Sequence, residues 1–251
     1  MKALKFNISG KTAFFKKPDV NTYYYFTYGS IHKVALLGIV GAILGLKGYN
    51  QQENNRYPEF YELLKDLDIA IVPKNEEGSI SKKVQIFNNS VGYASEEKGG
   101  NLIVKEQWLE NPRWVVYIKL DGYENNQIDD ICKEIEERFL KRNFVYIPYL
   151  GKNDHIANID NMSVVDMNTT KQEKINSLFF KDDFKISLEQ DEDWDFDDTE
   201  SLWKYEEKLP ISLEERTNQY ETRTMIATNM KLDINNDLNL YKDEENVLFF
   251  F

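Results

Sequence analysis

Residues 30–46 constrain the fold more than any other stretch, because they are almost wholly apolar and predict a buried helix. About 15 apolar residues span roughly 22 Å in a helix, short of the ~30 Å hydrocarbon core of a bilayer. We therefore expect a core helix of a soluble protein. Gly38, Gly41 and Gly45 share one face of this helix and predict tight packing against a sheet. They lie inside the helix rather than at its start, which argues against a dinucleotide-binding turn.

A strand and a basic loop precede this helix. Leu4, Phe6 and Ile8 alternate along the predicted strand. The loop carries Lys11, Lys16 and Lys17 among many aromatic residues: Phe14, Phe15, Tyr23, Tyr24, Tyr25, Phe26 and Tyr28. Residues 1–50 have a net charge of +6, against −5 for 51–150 and −13 for 151–251. This pattern suits a phosphate backbone with bases stacked beside it, or else a solvated lysine loop that covers its own aromatics.

Later apolar patterns extend the prediction to an α+β fold. They indicate strands at 68–73, 101–108, 113–120 and 144–148, a helix at 126–142, and a projecting hairpin or insertion within 74–100. The order is the βαββαβ of a ferredoxin-like (RRM-like) domain over residues 1–150. Residues 151–251 predict a smaller, β-rich acidic subdomain, whose terminal phenylalanines dock as an edge strand. The acidic stretch 189–200 is a solvated loop or a contact for a basic partner.

Composition and motifs exclude several classes of function. The single cysteine, Cys132, falls on an apolar helix face, so we expect a buried thiol, no internal disulfide and a reducing cytoplasm. One cysteine and two histidines argue against a zinc site, and we expect no metal and no cofactor. The sequence has no nucleotide-binding, nucleophile-elbow or metalloprotease motif. The turn at residues 149–155 offers Lys152 and His155 to a phosphate, or is a plain turn.

Several of these segments resemble one protein family. The first strand, the segment Gly-Lys-Thr-Ala-Phe-Phe-Lys-Lys-Pro at 10–18, Tyr28-Gly-Ser and the glycine-bearing helix resemble the opening of the fifth CRISPR-associated protein family. Glu106-Gln-Trp-Leu-Glu-Asn-Pro and Tyr149-Leu-Gly-Lys are similar to its hairpin and its glycine turn. The likeness is good over residues 1–50, fair over 100–160 and poor beyond. It resembles the type I-B members of the family.

The resemblance implies a RAMP-superfamily subunit of Cascade, the type I interference complex. Such a subunit has a ferredoxin-like fold with an inserted thumb, here around residues 74–108, and caps the 5′ handle of the crRNA. Its partners are the handle, the backbone subunit and the large subunit, with target DNA near the PAM reached through the complex and no membrane. The RNA contacts expected on this basis are basic, aromatic and glycine positions: Lys11, Lys16, Lys17, Tyr28, His32, Lys33, Lys47, Lys82, Lys83, Trp108, Gly151, Lys152 and His155.

One branch of the family, in type I-C systems, cuts the guide precursor without metal, using a tyrosine and an adjacent lysine–histidine pair. Here His32-Lys33 has the reverse order, and two residues separate Lys152 from His155. We therefore expect a non-catalytic subunit and assign no catalytic residue. The alternatives are a metal-independent endoribonuclease that processes precursor crRNA, and an acidic adaptor that contacts only protein.

Overall fold

The computed structural model describes residues 1–19, 24–187, 201–233 and 238–251. These residues form a mixed α+β fold with several antiparallel sheets. The helices are α1 (Lys33–Leu44), α2 (Glu59–Leu64) and α3 (Asn126–Leu140). The strands are β1 (Lys2–Ser9), β2 (Thr12–Ala13), β3 (Ile69–Pro73), β4 (Lys82–Asn88), β5 (Ile103–Glu110), β6 (Arg113–Lys119), β7 (Asn158–Asp166), β8 (Asn168–Thr170), β9 (Phe179–Phe180), β10 (Lys185–Ile186), β11 (Lys204–Leu213), β12 (Tyr220–Thr228), β13 (Leu232–Asp233), β14 (Leu240–Lys242) and β15 (Val247–Leu248).

The central sheet has four strands in the order β3-β6-β1-β7, and each neighbouring pair is antiparallel. Leu4, Phe6 and Ile8 are fully buried on the face of β1 that meets the main core, which confirms the predicted alternation. Each of these side chains contributes roughly 2 kcal/mol of hydrophobic stabilisation relative to an exposed position. The first strand therefore contributes strongly to the packing of the sheet against the main core.

Helix α1 is the predicted apolar helix, and its ends are capped locally. The imidazole of His32 accepts from the Ala35 N–H at its start, and Gly45 ends it in a left-handed conformation with φ 84°. The prediction that its glycines face the sheet is wrong for Gly41. A Cβ on Gly41 would lie 2.5 Å from the Cβ of Phe60, so the missing side chain lets α2 approach. The close packing is real, but its partner is a helix.

Helix α3 buries the face that the sequence predicted. Cys132, Ile135 and Phe139 are buried, and the rings of Phe6 and Phe139 lie 4.7 Å apart between their centroids. Burial raises the pKa of the Cys132 thiol to about 12. Cys132 is thus a structural thiol, as expected.

The strand predicted at 144–148 does not form. Instead, the amides of Val145 and Tyr146 bind the carbonyls of Ile43 and Ala42, which would otherwise lack partners at the end of α1. The sheet takes its fourth strand from β7, beyond residue 150. The division into domains at that residue stays a prediction.

Strands β4 and β5 form a long hairpin that begins within the predicted insertion and extends beyond it to Glu110. β5 also pairs with β2, which gives a second sheet in the order β2-β5-β4. β5 and β6 correspond to the strand–turn–strand pattern predicted at 101–120. The hairpin is thus connected to the central sheet where β5 leads into β6.

The rest of the chain is rich in short strands, which form the sheets β11-β12-β9, β15-β14-β8 and β10-β13. One apolar cluster contains both Leu4 of the central sheet and Leu209 of β11, so the core is continuous across these sheets. Phe251 exchanges backbone hydrogen bonds of 3.0 and 3.1 Å with Ile69 and covers the edge of β3. The acidic stretch 189–200 and Tyr23 lie outside the described residues. No helix in the described ranges has the length and hydropathy needed to cross a membrane.

Candidate nucleic-acid interface

The basic loop folds back on itself and then joins the hairpin sheet. Lys16 and Thr27 form an antiparallel bridge, and the Lys17 amide donates to the Phe26 carbonyl at 2.8 Å. Tyr25 then pairs with β5: its amide donates to the Lys105 carbonyl at 2.8 Å, and its carbonyl accepts from Gln107 at 2.9 Å. The loop therefore adds a short segment along β5, on the side opposite β4.

This arrangement presents cations and aromatic rings together at the surface. The Lys16 ammonium lies 4.3 Å from the centre of the Tyr25 ring, and the rings of Tyr24 and Phe26 are 4.7 Å apart. Lys16, Lys105 and Phe26 are exposed. We call this the basic–aromatic surface; its members are Lys16, Tyr24, Tyr25, Phe26 and Lys105. Lysines beside stackable rings are the combination that single-stranded nucleic acid uses.

Lys17, in contrast, is used inside the protein. Its ammonium pairs with the carboxylate of Glu207 on β11 and lies 5.1 Å from the centre of the Tyr28 ring. Glu207 also accepts from the Gly29 amide at 2.7 Å and from the Tyr205 hydroxyl at 2.6 Å. Lys17 therefore fixes the loop to the later sheet. Lys11 and Lys82 are exposed, at the β1–β2 turn and at the start of β4 respectively.

The turn at 149–155 packs tightly under the loop. The Phe14 amide donates to the Leu150 carbonyl at 3.0 Å, and Gly151 has φ 91°. A Cβ on Gly151 would come within 1.8 Å of the Phe14 carbonyl oxygen, so only glycine fits there. The Lys152 ammonium contacts both carboxylate oxygens of Glu106, at 3.1 and 3.2 Å. This lysine neutralises a buried carboxylate.

His155 is buried at 2% exposure, which corrects its expected role as a surface contact. Its Nδ1 lies 2.6 Å from the Thr12 hydroxyl, and its ring stands edge-to-face against Trp108, with 4.6 Å between centroids. Burial lowers the pKa of His155, with nearby Lys152 acting in the same direction. The imidazole is therefore held neutral as part of the packing between β2, β5 and the turn.

His32 and Tyr28 are also core residues rather than RNA contacts. The His32 ring packs against Phe15, Tyr28 and Tyr220, and burial lowers its pKa to about 3. Tyr28 is 4% exposed, and burial raises the pKa of its hydroxyl to about 12. Both rings form the packed base on which the exposed loop rests.

The remaining expected contacts are dispersed. The Lys33 ammonium donates to the Phe251 carbonyl at 3.1 Å, and burial lowers its pKa. Lys47 lies beyond the opposite end of α1, about 18 Å along the helix from His32. Lys83 is 3.5 Å from Glu110, and Trp108 is half-buried with its indole N–H donating to Glu106. The structure does not bring these residues into the basic–aromatic surface.

Sequence reasoning missed Lys105 and the two carboxylates that organise the region. Glu106 and Lys152 are 46 residues apart, and Glu207 and Lys17 are 190 apart, so no local pattern could pair them. The alternation of Lys105 with buried Val104 and Glu106 was the available signal for an outward lysine. No group of three metal-ligating side chains occurs within the described ranges.

Comparison with known proteins gives matches in structure and none in sequence. No family model and no curated protein matches the chain. A solved structure described as "CRISPR RNA-guided surveillance complex" contains a chain with TM-score 0.51 and 11% identity, over 92% of this chain and 91% of that one. A CRISPR protein from Archaeoglobus fulgidus gives TM-score 0.49 and 10% identity, over 99% and 98% of the two chains. A chain of the type III-B Cmr-beta complex gives 0.47 and 13%, over 94% and 90%.

At these identities the likeness concerns the fold. The chain shares its fold with a chain of a solved CRISPR RNA-guided surveillance complex over 92% of its length. The resemblance to CRISPR-associated proteins inferred from the sequence is thus confirmed at the level of the fold.

Proposed function

We propose that this chain is a non-catalytic, RNA-binding subunit of a type I CRISPR interference complex, a RAMP protein of the Cascade type that caps the 5′ handle of the crRNA. The fold shared with a chain of an RNA-guided surveillance complex supports the class. The observation that carries the RNA role is the basic–aromatic surface, where the Lys16 ammonium lies over the Tyr25 ring and Tyr25 pairs through its backbone with the exposed Lys105.

The topology supports a ferredoxin-like core with an inserted thumb. The sheet order β3-β6-β1-β7, with α1 following β1 and α3 following β6, is the arrangement that βαββαβ connectivity produces. In this scheme the β4–β5 hairpin is inserted between the second and third strands of the core and serves as the thumb. The loop joins the hairpin at Tyr25, so RNA bound at the loop also meets the thumb.

The expected mode of binding follows from single-stranded RNA chemistry. Lys16 and Lys105 contact phosphates, and the rings of Tyr24, Tyr25 and Phe26 stack on splayed bases. Sequence recognition of the target is left to base pairing by the guide. The backbone subunit and the large subunit are the proposed protein neighbours, and target DNA near the PAM is reached through them.

Burial of both histidines supports the non-catalytic assignment. His32 and His155, the two histidines of the chain, are each 2% exposed, so neither offers a ring nitrogen to a scissile phosphate at the surface. The Lys152 ammonium is engaged by Glu106. We expect the pure protein, incubated with labelled repeat RNA in EDTA, to leave the RNA intact. Cleavage at one defined position would support the endoribonuclease alternative instead.

Charge reversal within the surface tests the RNA role. Lys16→Glu places a carboxylate beside the proposed phosphates, so handle RNA should bind at least about tenfold more weakly. Lys185→Glu is the matched control, because Lys185 is exposed on β10 and lies outside the basic–aromatic surface. Binding is measured by fluorescence anisotropy with labelled handle RNA. Equal affinities of the two variants would contradict the proposal and favour a protein-only adaptor.

A further inference from the structure

Strand β4 has an open edge. It pairs with β5 on one side, and no strand of the described residues pairs with its other side. The Glu110 amide donates to the Ser81 carbonyl and the Asn89 amide to the Leu102 carbonyl, both at 2.8 Å. In antiparallel pairing these bonds show that the backbone groups of residues 81 and 89 face β5. The backbone groups of the odd residues between them face β5 as well. The N–H and C=O groups of the even residues 82–88 therefore point to the open side.

The side chains of the same even residues are exposed as well. Val84 and Ile86 are 51% and 56% exposed, and Leu102 and Ile103, just before and at the start of β5, are 55% and 53% exposed. A long edge strand with exposed aliphatic side chains is a template for another strand. Two other edges are protected: Phe251 bonds to Ile69 on β3, and a register shift opposite Lys5 and Asn7 interrupts β7. Within the described ranges, β4 has neither a bonded terminal residue along its edge nor a register shift.

We propose that this edge pairs in antiparallel fashion with β4 of a second copy of the chain, about a twofold axis at Gln85. An isologous contact requires a surface that complements itself. Centring on Gln85 sets Val84 opposite Ile86 of the other copy. It also sets Lys82 opposite Asn88, so that no two cations meet. On the other face of the strand, Lys83 lies opposite Phe87, a cation–π pairing.

This register also satisfies the backbone. The residues with outward-facing groups, 82, 84, 86 and 88, become the four hydrogen-bonded pairs of the new ladder, with about eight bonds in total. The sheet then runs β2-β5-β4 in one copy and continues as β4-β5-β2 in the other. RNA fits the exposed face of β4 less well, because Val84 and Ile86 offer no ring for a base to stack on. The contact is one strand wide, so the dimer dissociates on dilution.

Disulfide trapping in the full-length protein tests the register. At the axis, two Gln85 Cα atoms lie about 4.5 Å apart, which a disulfide can span. Gln85→Cys should therefore give a covalent dimer under mild oxidation. Asn88→Cys should not, because the two copies of residue 88 lie about 20 Å apart. The native Cys132 is buried, so the wild-type protein measures the background of cross-linking through that thiol. No cross-link, or equal cross-linking of both variants, would overturn the proposal.

Sedimentation velocity supplies the independent measurement. The wild-type protein should shift from monomer to dimer over about a hundredfold range of concentration, and Ile86→Lys should remain monomeric. A wild-type protein that stays monomeric throughout would contradict the proposal. If, in addition, Ile86→Lys lost affinity for handle RNA, the edge would be assigned to RNA instead.

Discussion

The loop at 11–28 and the turn at 149–155 look alike in sequence and differ in the folded protein. Each combines lysine with aromatic or histidine side chains near a glycine, and each suggested a phosphate contact. In the loop, the Lys16 ammonium lies over Tyr25 at the surface. In the turn, Lys152 is paired with Glu106 and His155 is buried. Composition therefore identifies cations, whereas the tertiary structure decides which of them remain available to a ligand.

The difference has an electrostatic cause. The Glu106 side chain is only 7% exposed, and a buried carboxylate without a cation would be strongly destabilising. Lys152 supplies that cation. Lys16 has no carboxylate partner among the described residues, so its charge is directed to solvent. The turn thus stabilises the fold, whereas the charge of Lys16 remains available to a ligand.

The largest expected effect tests the structural role of the turn. Gly151→Ala forces an alanine to φ 91° and drives its Cβ against the Phe14 carbonyl. We expect a loss of about 3 kcal/mol in the free energy of unfolding, measured by urea titration. Gly48→Ala is the control, because its Cβ would meet no atom within 4 Å. An equally small effect of both changes would remove the structural distinction between turn and loop.

Truncating one lysine in each region sharpens the comparison. Lys152→Ala leaves Glu106 buried without its cation, so we expect a loss of about 2 kcal/mol, reduced by the partial exposure of the lysine. Lys16→Ala removes a surface charge and should cost less than about 0.5 kcal/mol. Thermal and urea unfolding measure both. The reverse order would mean that the loop, and not the turn, is the structural element.

The neutral histidines predict a dependence of stability on pH. The unfolded state protonates His32 near its ordinary pKa of about 6.5, whereas the native state resists protonation down to about 3. Stability should therefore be complete above that ordinary pKa and fall as the pH decreases, by about 2 kcal/mol at pH 5 for this residue. His32→Asn keeps a helix cap and removes the titration. Its stability should fall less between pH 7 and pH 5, and an unchanged fall would contradict the assignment.

The smallest effect is expected in the salt dependence of RNA binding. Each phosphate contact to a single strand contributes about 0.7 to the slope of log affinity against log salt concentration. Lys16→Ala should reduce the magnitude of that slope by about this amount, whereas Lys152→Ala should leave it unchanged if the protein remains folded. Titrations at several salt concentrations measure it. Equal changes in both variants would mean that the turn also binds RNA.

Local patterns predicted much of the fold. The alternation in β1, the apolar run of α1 and the amphipathic face of α3 each depend on residues close in sequence, and all three are observed. The prediction of a strand at 144–148 was wrong. The apolar residues of this segment suit a strand, but its amides bind carbonyls at the end of α1. Which segment occupies the edge of β1 depends on competition between distant strands. A single segment carries no signal for that outcome.

The candidate site was less predictable. Lys11 and Lys16 were expected at the surface and are exposed there. Tyr28, His32 and His155 were expected to contact RNA and are buried, because Tyr220 and Trp108, distant in sequence, cover their rings. The residue type of a histidine or tyrosine does not show whether its side chain is buried or exposed. Its neighbours in space decide its role.

Photo-cross-linking tests the central claim most directly. Handle RNA that carries 4-thiouridine is bound to the full-length protein, irradiated and digested, and the modified peptide is identified by mass spectrometry. The basic–aromatic surface predicts adducts on Tyr24, Tyr25 or Phe26. Adducts confined to residues 149–156, or to the later strands β11 and β12, would contradict the assignment of RNA binding to the loop.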